Sequence, residues 1–367
     1  MKQKILALFL LLTSMYGYAQ NTEFTFIETD EPYTFIEKDG LVYMIAEEPT
    51  DNNSFGKVWF VSWQRVGEEY KYKGDIVIPS EIQNGDGDFA DKYRVVYICA
   101  DFSDCEELTS VEFPDGVKVQ YLFFRNTKKL KKVKFPSNLK SLNGSFLGSG
   151  IEEIVIPSSV KKIEMGVFQG CENLTRIEIP NSVTSIGNCA FSGCASLASI
   201  EIPNSVTSIG EYAFSGCTSL ARIEIPNTVT CIGEYAFMGC TGLASIEIPN
   251  SVTSIGNMVF YDCSALASIE IPNSVTGIGE YAFSGCTSLV SIEIPNSVTS
   301  IDDFAFNGCT DLKNIKMGNS VTVIGRYAFS ECTSLASIEI PNSTQICNGA
   351  FHATTLIVRS NSDGAGK

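Results

Sequence analysis

Residues 200–222 read Ile200-Glu201-Ile202-Pro203-Asn204-Ser205-Val206-Thr207-Ser208-Ile209-Gly210-Glu211-Tyr212-Ala213-Phe214-Ser215-Gly216-Cys217-Thr218-Ser219-Leu220-Ala221-Arg222, and this unit recurs along most of the chain. The alternation of Ile200, Glu201 and Ile202 predicts a short strand with one buried face. Pro203 ends it, because proline has no N–H to give to a central ladder. Val206 and Ile209 point back inward, and Gly210 permits a turn. Ala213, Phe214 and Cys217 are expected to fill the far side of the core from a single helical turn. No unit can bury these residues by itself, so successive copies must stack, each covering the next.

The period fixes the array. Proline recurs at Pro157, Pro180, Pro203, Pro226, Pro249, Pro272, Pro295 and Pro341, with Gly318 at the missing step. Weaker copies precede it: Val111-Glu112-Phe113-Pro114, Phe135-Pro136 and Ile78-Pro79. The early prolines are spaced by 35, 22 and 21 residues before the interval settles at 23, which gives about eleven to twelve coils. Cys171, Cys194, Cys217, Cys240, Cys263, Cys286, Cys309 and Cys332 mark one step of the same repeat, with Cys105 in an earlier copy. Stacked coils would place them about 4.7–4.9 Å apart and parallel, whereas a disulfide needs Cβ atoms nearer ~3.8 Å and facing each other. Free, buried thiols are expected.

The run of Ala-Phe, then Cys, then Leu and Ile-x-Ile-Pro resembles the BspA-like leucine-rich repeats of bacterial surface proteins, over roughly residues 75–358. That resemblance implies a repeat solenoid, mainly β, with a parallel sheet lining one face. It also implies attachment or protein–protein contact in place of catalysis.

Outside the repeat, residues 1–19 have the pattern of a signal peptide. Lys2 and Lys4 lead an apolar run from Ile5 to Leu12, and Gly17-Tyr18-Ala19 offers small residues for cleavage after Ala19. The run is too short to span a bilayer. The expected location is outside the cytoplasm: secreted, at the cell surface, or in a periplasm. Residues 20–74 hold aromatic-rich strand patterns, such as Leu41-Val42-Tyr43-Met44-Ile45 and Val58-Trp59-Phe60-Val61. They are expected to form a β-rich cap over the first coil. Residues 75–358 form the solenoid, and 359–367 a disordered tail.

Composition excludes several functions. The 367 residues are 44% hydrophobic and 19% charged, which rules out wholesale disorder. A net charge of −16 repels phosphate backbones, so no nucleic-acid partner is expected. A single histidine, His352, leaves no evident base for a Ser or Cys nucleophile. The cysteine interval is far from the two to four residues of a zinc knuckle. Asn84-Gly85-Asp86-Gly87-Asp88 lacks the distal Glu of a calcium loop. No cofactor, metal or catalytic residue is expected.

Two stripes remain as candidate binding surfaces. One is the outward strand position, Glu178, Glu201, Glu224, Glu247, Glu270, Glu293 and Glu339, interrupted by Lys316, with Arg176 and Arg222 beside it. Such a file could dock a cationic surface, or it could simply keep an exposed sheet soluble. The other is Tyr212, Tyr235, Tyr281 and Tyr327, with Met258 and Phe304 in equivalent places. Aromatics there could stack on sugars or anchor a protein, or half-cover the core at a turn. The expected function is protein binding or adhesion, with a host surface or matrix protein as one partner class. Carbohydrate binding or cleavage and a passive spacer are the alternatives.

Overall fold

A computed structural model describes residues 35–50, 55–61, 72–85, 90–142 and 146–360. The expected signal peptide, residues 20–34, 51–54 and 62–71 of the expected cap, residues 86–88 of the Asn84–Asp88 stretch and residues 361–367 of the expected tail lie outside the described residues.

The predicted strand forms. Ser199–Glu201 pairs in parallel with Arg222–Glu224, placing Ile200 opposite Ile223 and Glu201 opposite Glu224. Equivalent strands run from Gly74–Val77, Leu108–Glu112 and Lys132–Lys134 to Ser337–Pro341 and Leu356–Ser360. Beyond each bend a two-residue strand makes a second parallel file, with Ser208–Ile209 lying between Ser185–Ile186 and Cys231–Ile232. The chain is therefore a β-solenoid of 23-residue coils.

The helical turn expected around Ala213, Phe214 and Cys217 does not form, and no helix occurs among the described residues. Two left-handed residues prevent it: Tyr212 has φ 54° and Gly216 has φ 71°. The amides of Tyr212, Phe214 and Gly216 donate forward to the carbonyls of Glu234, Ala236 and Met238 in the next coil, at 3.0, 2.8 and 2.7 Å. A helix would need those same amides for bonds to carbonyls four residues back. Elsewhere in the coil the bonds run the other way. Thr207 donates back to Thr184 and Gly210 to Ile186, both at 2.9 Å.

The core is a column of phenylalanines. Twelve rings, from Phe102 through Phe214 and Phe237 to Phe351, stack in sequence with centroids 5.0–5.7 Å apart. Beside them the ladder cysteines are buried and free. Cys217 Sγ donates to the Phe191 carbonyl one coil back at 3.2 Å, and Cys194, Cys240 and Cys263 repeat the contact. Burial pushes the Cys217 and Cys263 thiols up to about 12. They are hydrogen-bonding core residues, not a disulfide framework.

Most bends are satisfied by the hydroxyl that follows the asparagine. Ser205 Oγ donates to Val183 O at 2.6 Å and Thr228 Oγ1 to Val206 O at 2.7 Å. An asparagine adds a contact of a different kind at one bend, Asn296 Oδ1 accepting from the Asn319 amide at 2.8 Å.

At the N-terminal end, Phe35–Lys38 and Leu41–Glu47 form a hairpin closed by Asp39 and Gly40, both left-handed as such a two-residue turn requires. Gly56–Val61 then pairs in parallel with Asp91–Asp101, which pairs in parallel with Lys118–Phe123. Phe60 stacks on Phe102 at 6.2 Å, so this sheet's core is continuous with the phenylalanine column.

Candidate binding face

Period-2 alternation turns two residues of each three-residue strand outward. In Ser199–Glu201 and its equivalents the flanking positions are exposed and the central isoleucine is inside. Successive coils therefore present Arg176 and Glu178, Ser199 and Glu201, Arg222 and Glu224, Ser245 and Glu247, Ser268 and Glu270, Ser291 and Glu293, Asn314 and Lys316, then Ser337 and Glu339. All eight residues at the ladder step are exposed, in one file along the solenoid.

The cations divide this file. Arg176 holds Glu178 at 2.7 Å within its own strand, and Arg222 holds Glu224 likewise. Lys316 reaches across to Glu293 at 2.5 Å. Glu201, Glu247, Glu270 and Glu339 have no ion pair among the described residues. Glu247 and Glu270 stand directly opposite each other, with only serines beside them. Like charges one strand apart repel, so the middle of the face retains an uncompensated carboxylate pair.

The repeat is broken where Lys316 and Gly318 replace Glu and Pro. A shallow pocket of about 230 Å³ opens there, lined by Asn273, Glu293, Asn296, Lys316, Gly318 and Asn319 among others. Sequence reading marks Lys316 as a departure but not the recess beside it. The signal was the double substitution in one coil, since losing a proline ring and reversing a charge together change both shape and field. Sequence reading also passed over the two ends of the face. Lys132 and Lys134 occupy its outward positions near the N-terminal end. Leu356, 64% exposed, and Val358 occupy them in the last strand.

The aromatic stripe is a stack. Tyr212 and Tyr235 lie 4.3 Å apart and nearly parallel, and Tyr281, Phe304 and Tyr327 follow at 4.7 and 5.0 Å. Met258 separates the two groups in sequence. Each of these residues has φ between 52° and 60°, a region unfavourable for a bulky side chain. Gly349 takes the equivalent step after Tyr327, and a Cβ there would meet the Tyr327 ring at 2.5 Å. Tyr212, Tyr235 and Tyr281 are half-buried and Tyr327 is exposed. In the terminal coil, His352 Nδ1 lies 2.9 Å from Thr354 Oγ1.

A family model described as "BspA type Leucine rich repeat region (6 copies)" matches residues 97–146, 143–267 and 254–360. Among solved structures, a leucine-rich repeat protein from Bacteroides ovatus is 25% identical, over 92% of this chain and 100% of that one, with a TM-score of 0.48. The T. pallidum leucine-rich repeat protein is 35% identical over 50% of this chain and 78% of that one, at 0.41. A leucine-rich cell surface protein from Faecalibacterium prausnitzii is 27% identical over 92% and 97%, at 0.43. Comparison with curated proteins gives no match.

Proposed function

Because the chain belongs to the BspA-type leucine-rich repeat family, we propose that it is an exported, non-enzymatic scaffold that binds a protein along its outward sheet face. Adhesion to a host surface or matrix protein is the setting in which we place it. Export rests on the signal-peptide pattern of residues 1–19. In the same reading the N-terminal sheet caps the first coil and shields its edge.

The observation that carries this reading is the file of carboxylates with its uncompensated members. Glu201, Glu247, Glu270 and Glu339 are exposed, in register and without an ion pair among the described residues, so a basic partner segment would relieve repulsion that the free protein retains. The Glu293–Lys316 recess adds local shape to an otherwise uniform face. A neutral sugar platform on the tyrosine stripe is supported less well. Each tyrosine of the stripe already gives one face to a neighbouring ring 4.3–5.0 Å away.

The test is binding of the full chain to a panel of basic and neutral extracellular-type proteins at low and high salt. A variant with Glu201→Gln, Glu247→Gln, Glu270→Gln and Glu339→Gln runs alongside. Capture of a basic protein that weakens with salt and is lost in the variant is the expected result. Capture indifferent to the variant moves the site off this face, and no capture at all favours a passive spacer. Retained binding after Tyr212→Ala and Tyr235→Ala would further separate the face from the aromatic stripe.

A further inference from the structure

The acidic charge of the chain hides a basic band. Residues 116–162 hold ten of the 26 basic residues but only two of the 42 acidic ones, Glu152 and Glu153. No acidic residue occurs between Asp115 and Glu152, across eight cations. The remaining residues carry 16 basic against 40 acidic. The band spans three consecutive coils.

Stacking turns part of this band into a straight file. Asn138 Nδ2 donates to Val117 O at 2.9 Å, and Ser159 Oγ to Leu139 O at 2.5 Å. Ser182 Oγ donates to Val160 O at 2.6 Å in the same way. Val117, Leu139 and Val160 are thus equivalent, and so are the residues that follow them: Lys118, Lys140 and Lys161. The file continues into Thr184, whose amide donates to Lys161 O at 2.9 Å, and then Thr207 and Thr230. Three exposed ammonium groups therefore replace three hydroxyls in one row, about 4.8 Å apart from coil to coil. Lys162 adds a fourth beside them.

These lysines are not spent on ion pairs. Lys129, Lys131 and Lys134 in the same band have partners, Glu107, Glu152 and Glu112. Lys118, Lys140, Lys161 and Lys162 have no ion pair among the described residues. Lys118 has an internal contact, with Tyr97: its Nζ donates to the hydroxyl at 3.5 Å and lies 5.5 Å from the ring centroid. Adjacent like charges in register weaken a stack, so the arrangement is unfavourable until an anion joins it.

We propose that the Lys118–Lys140–Lys161–Lys162 file binds a linear anionic polysaccharide, bearing sulfate or uronate groups, laid along the solenoid axis. This site is separate from the carboxylate face and would stand if that face proved inert. A regular row of compact point charges matches a chain that repeats its own charge. Lysine in place of arginine lacks the planar fork that selects one phosphate or carboxylate geometry. A protein partner would need a desolvated apolar anchor at the centre. Among the described residues of the band, Val155 is the one exposed large apolar side chain. A single-stranded nucleic acid calls for open aromatic faces on which bases stack, and the Tyr97 ring beside the file is covered by Lys118.

The experiment measures binding of the full chain to dextran sulfate, with neutral dextran, polyglutamate and single-stranded DNA as comparison polymers, at 50 and 200 mM salt. Dextran sulfate should bind, and neutral dextran should not. Four released counterions make the affinity fall by well over tenfold across that salt range, on the order set by counterion release. Changing Lys118, Lys140, Lys161 and Lys162 together to Gln should abolish binding, while the matching change to Arg should retain it. Lys313→Gln and Arg326→Gln should leave it unchanged. A thermal unfolding midpoint equal to or above that of the parent confirms that the Gln variant is folded. Failure of dextran sulfate to bind at 50 mM salt, or undiminished binding by the Gln variant, overturns the proposal. Equal or tighter binding of polyglutamate or DNA overturns the polysaccharide assignment.

Discussion

Truncating Phe237 to alanine tests whether the phenylalanine column carries the stability of the coils. The ring is fully buried, with Phe214 at 5.5 Å on one side and Phe260 at 5.7 Å on the other. Loss of a buried phenylalanine, including the cavity it leaves, costs about 3–5 kcal/mol. In a solenoid that loss falls on two coil interfaces at once, since stability is a sum over neighbours. Phe351 is the control. It is half-buried and has one stacked neighbour, Phe329 at 5.4 Å, so Phe351→Ala should cost about half as much. Urea unfolding followed by hydrogen exchange reads both effects. Exchange should rise in the coils flanking Phe237, while Phe351→Ala loosens only the C-terminal end. Because long arrays can unfold in parts, a split transition is expected for the interior variant alone. A loss below about 1 kcal/mol at Phe237, or equal losses at the two sites, would refute the reasoning.

Four further outcomes are expected. Gly216 has φ 71° with its nearest neighbour atom 3.7 Å from a Cβ position, whereas a Cβ on Gly210 would meet Asn188 N at 2.5 Å. Gly216→Ala should therefore cost about 1–2 kcal/mol through backbone strain, and Gly210→Ala more, both read by thermal melting. A thiol reagent at neutral pH should label Cys231, which is exposed, promptly and the half-buried Cys189 and Cys347 slowly, with the ladder cysteines reacting only on unfolding. Cys217 and Cys263 hold their protons more tightly folded than unfolded. Their contribution is thus complete below pH 9 and should be lost as pH rises toward the folded values of about 12, at about 1.4 kcal/mol per thiol per pH unit. Urea midpoints measured from pH 8 to 10.5 check the sign. Finally, Glu270→Gln should raise stability by a few tenths of a kcal/mol at low salt and by nothing measurable at high salt, whereas Lys316→Glu should lower it by about 0.5–1 kcal/mol.

Much of this architecture is legible in the residues because one short unit is copied so many times. Proline, cysteine and the Ile-Glu-Ile alternation recur at a fixed interval, and only stacking in register satisfies all of them at once. The turn at Tyr212 was not legible. An Ala-Phe pair followed by Gly and Cys reads as a helical turn by composition, but bonding to the next coil requires Tyr212 in a left-handed conformation that tyrosine seldom adopts. The candidate face was readable as a row of glutamates, yet its division into paired and unpaired members depends on whether Arg176, Arg222 and Lys316 reach them. The lysine file was obscured by the irregular early spacing. Lys118, Lys140 and Lys161 fall 22 and 21 residues apart, and only the hydroxyl and amide contacts between coils fix them in one row.

The opposed direction of the hydrogen bonds within each coil bears on that row. Tyr212, Phe214 and Gly216 donate toward the C-terminal end of the array, and Thr207 and Gly210 toward the N-terminal end. An α-helix points all its peptide dipoles one way and so acquires partial charges at its ends. Here the peptide dipoles largely cancel coil by coil, so the solenoid can lengthen without accumulating an axial field. Nothing in the backbone, then, calls for cations at one end. The gathering of lysines near residues 118–162 is a property of the side chains alone, and the long-range polarity of the molecule can be written, erased or reversed one surface residue at a time.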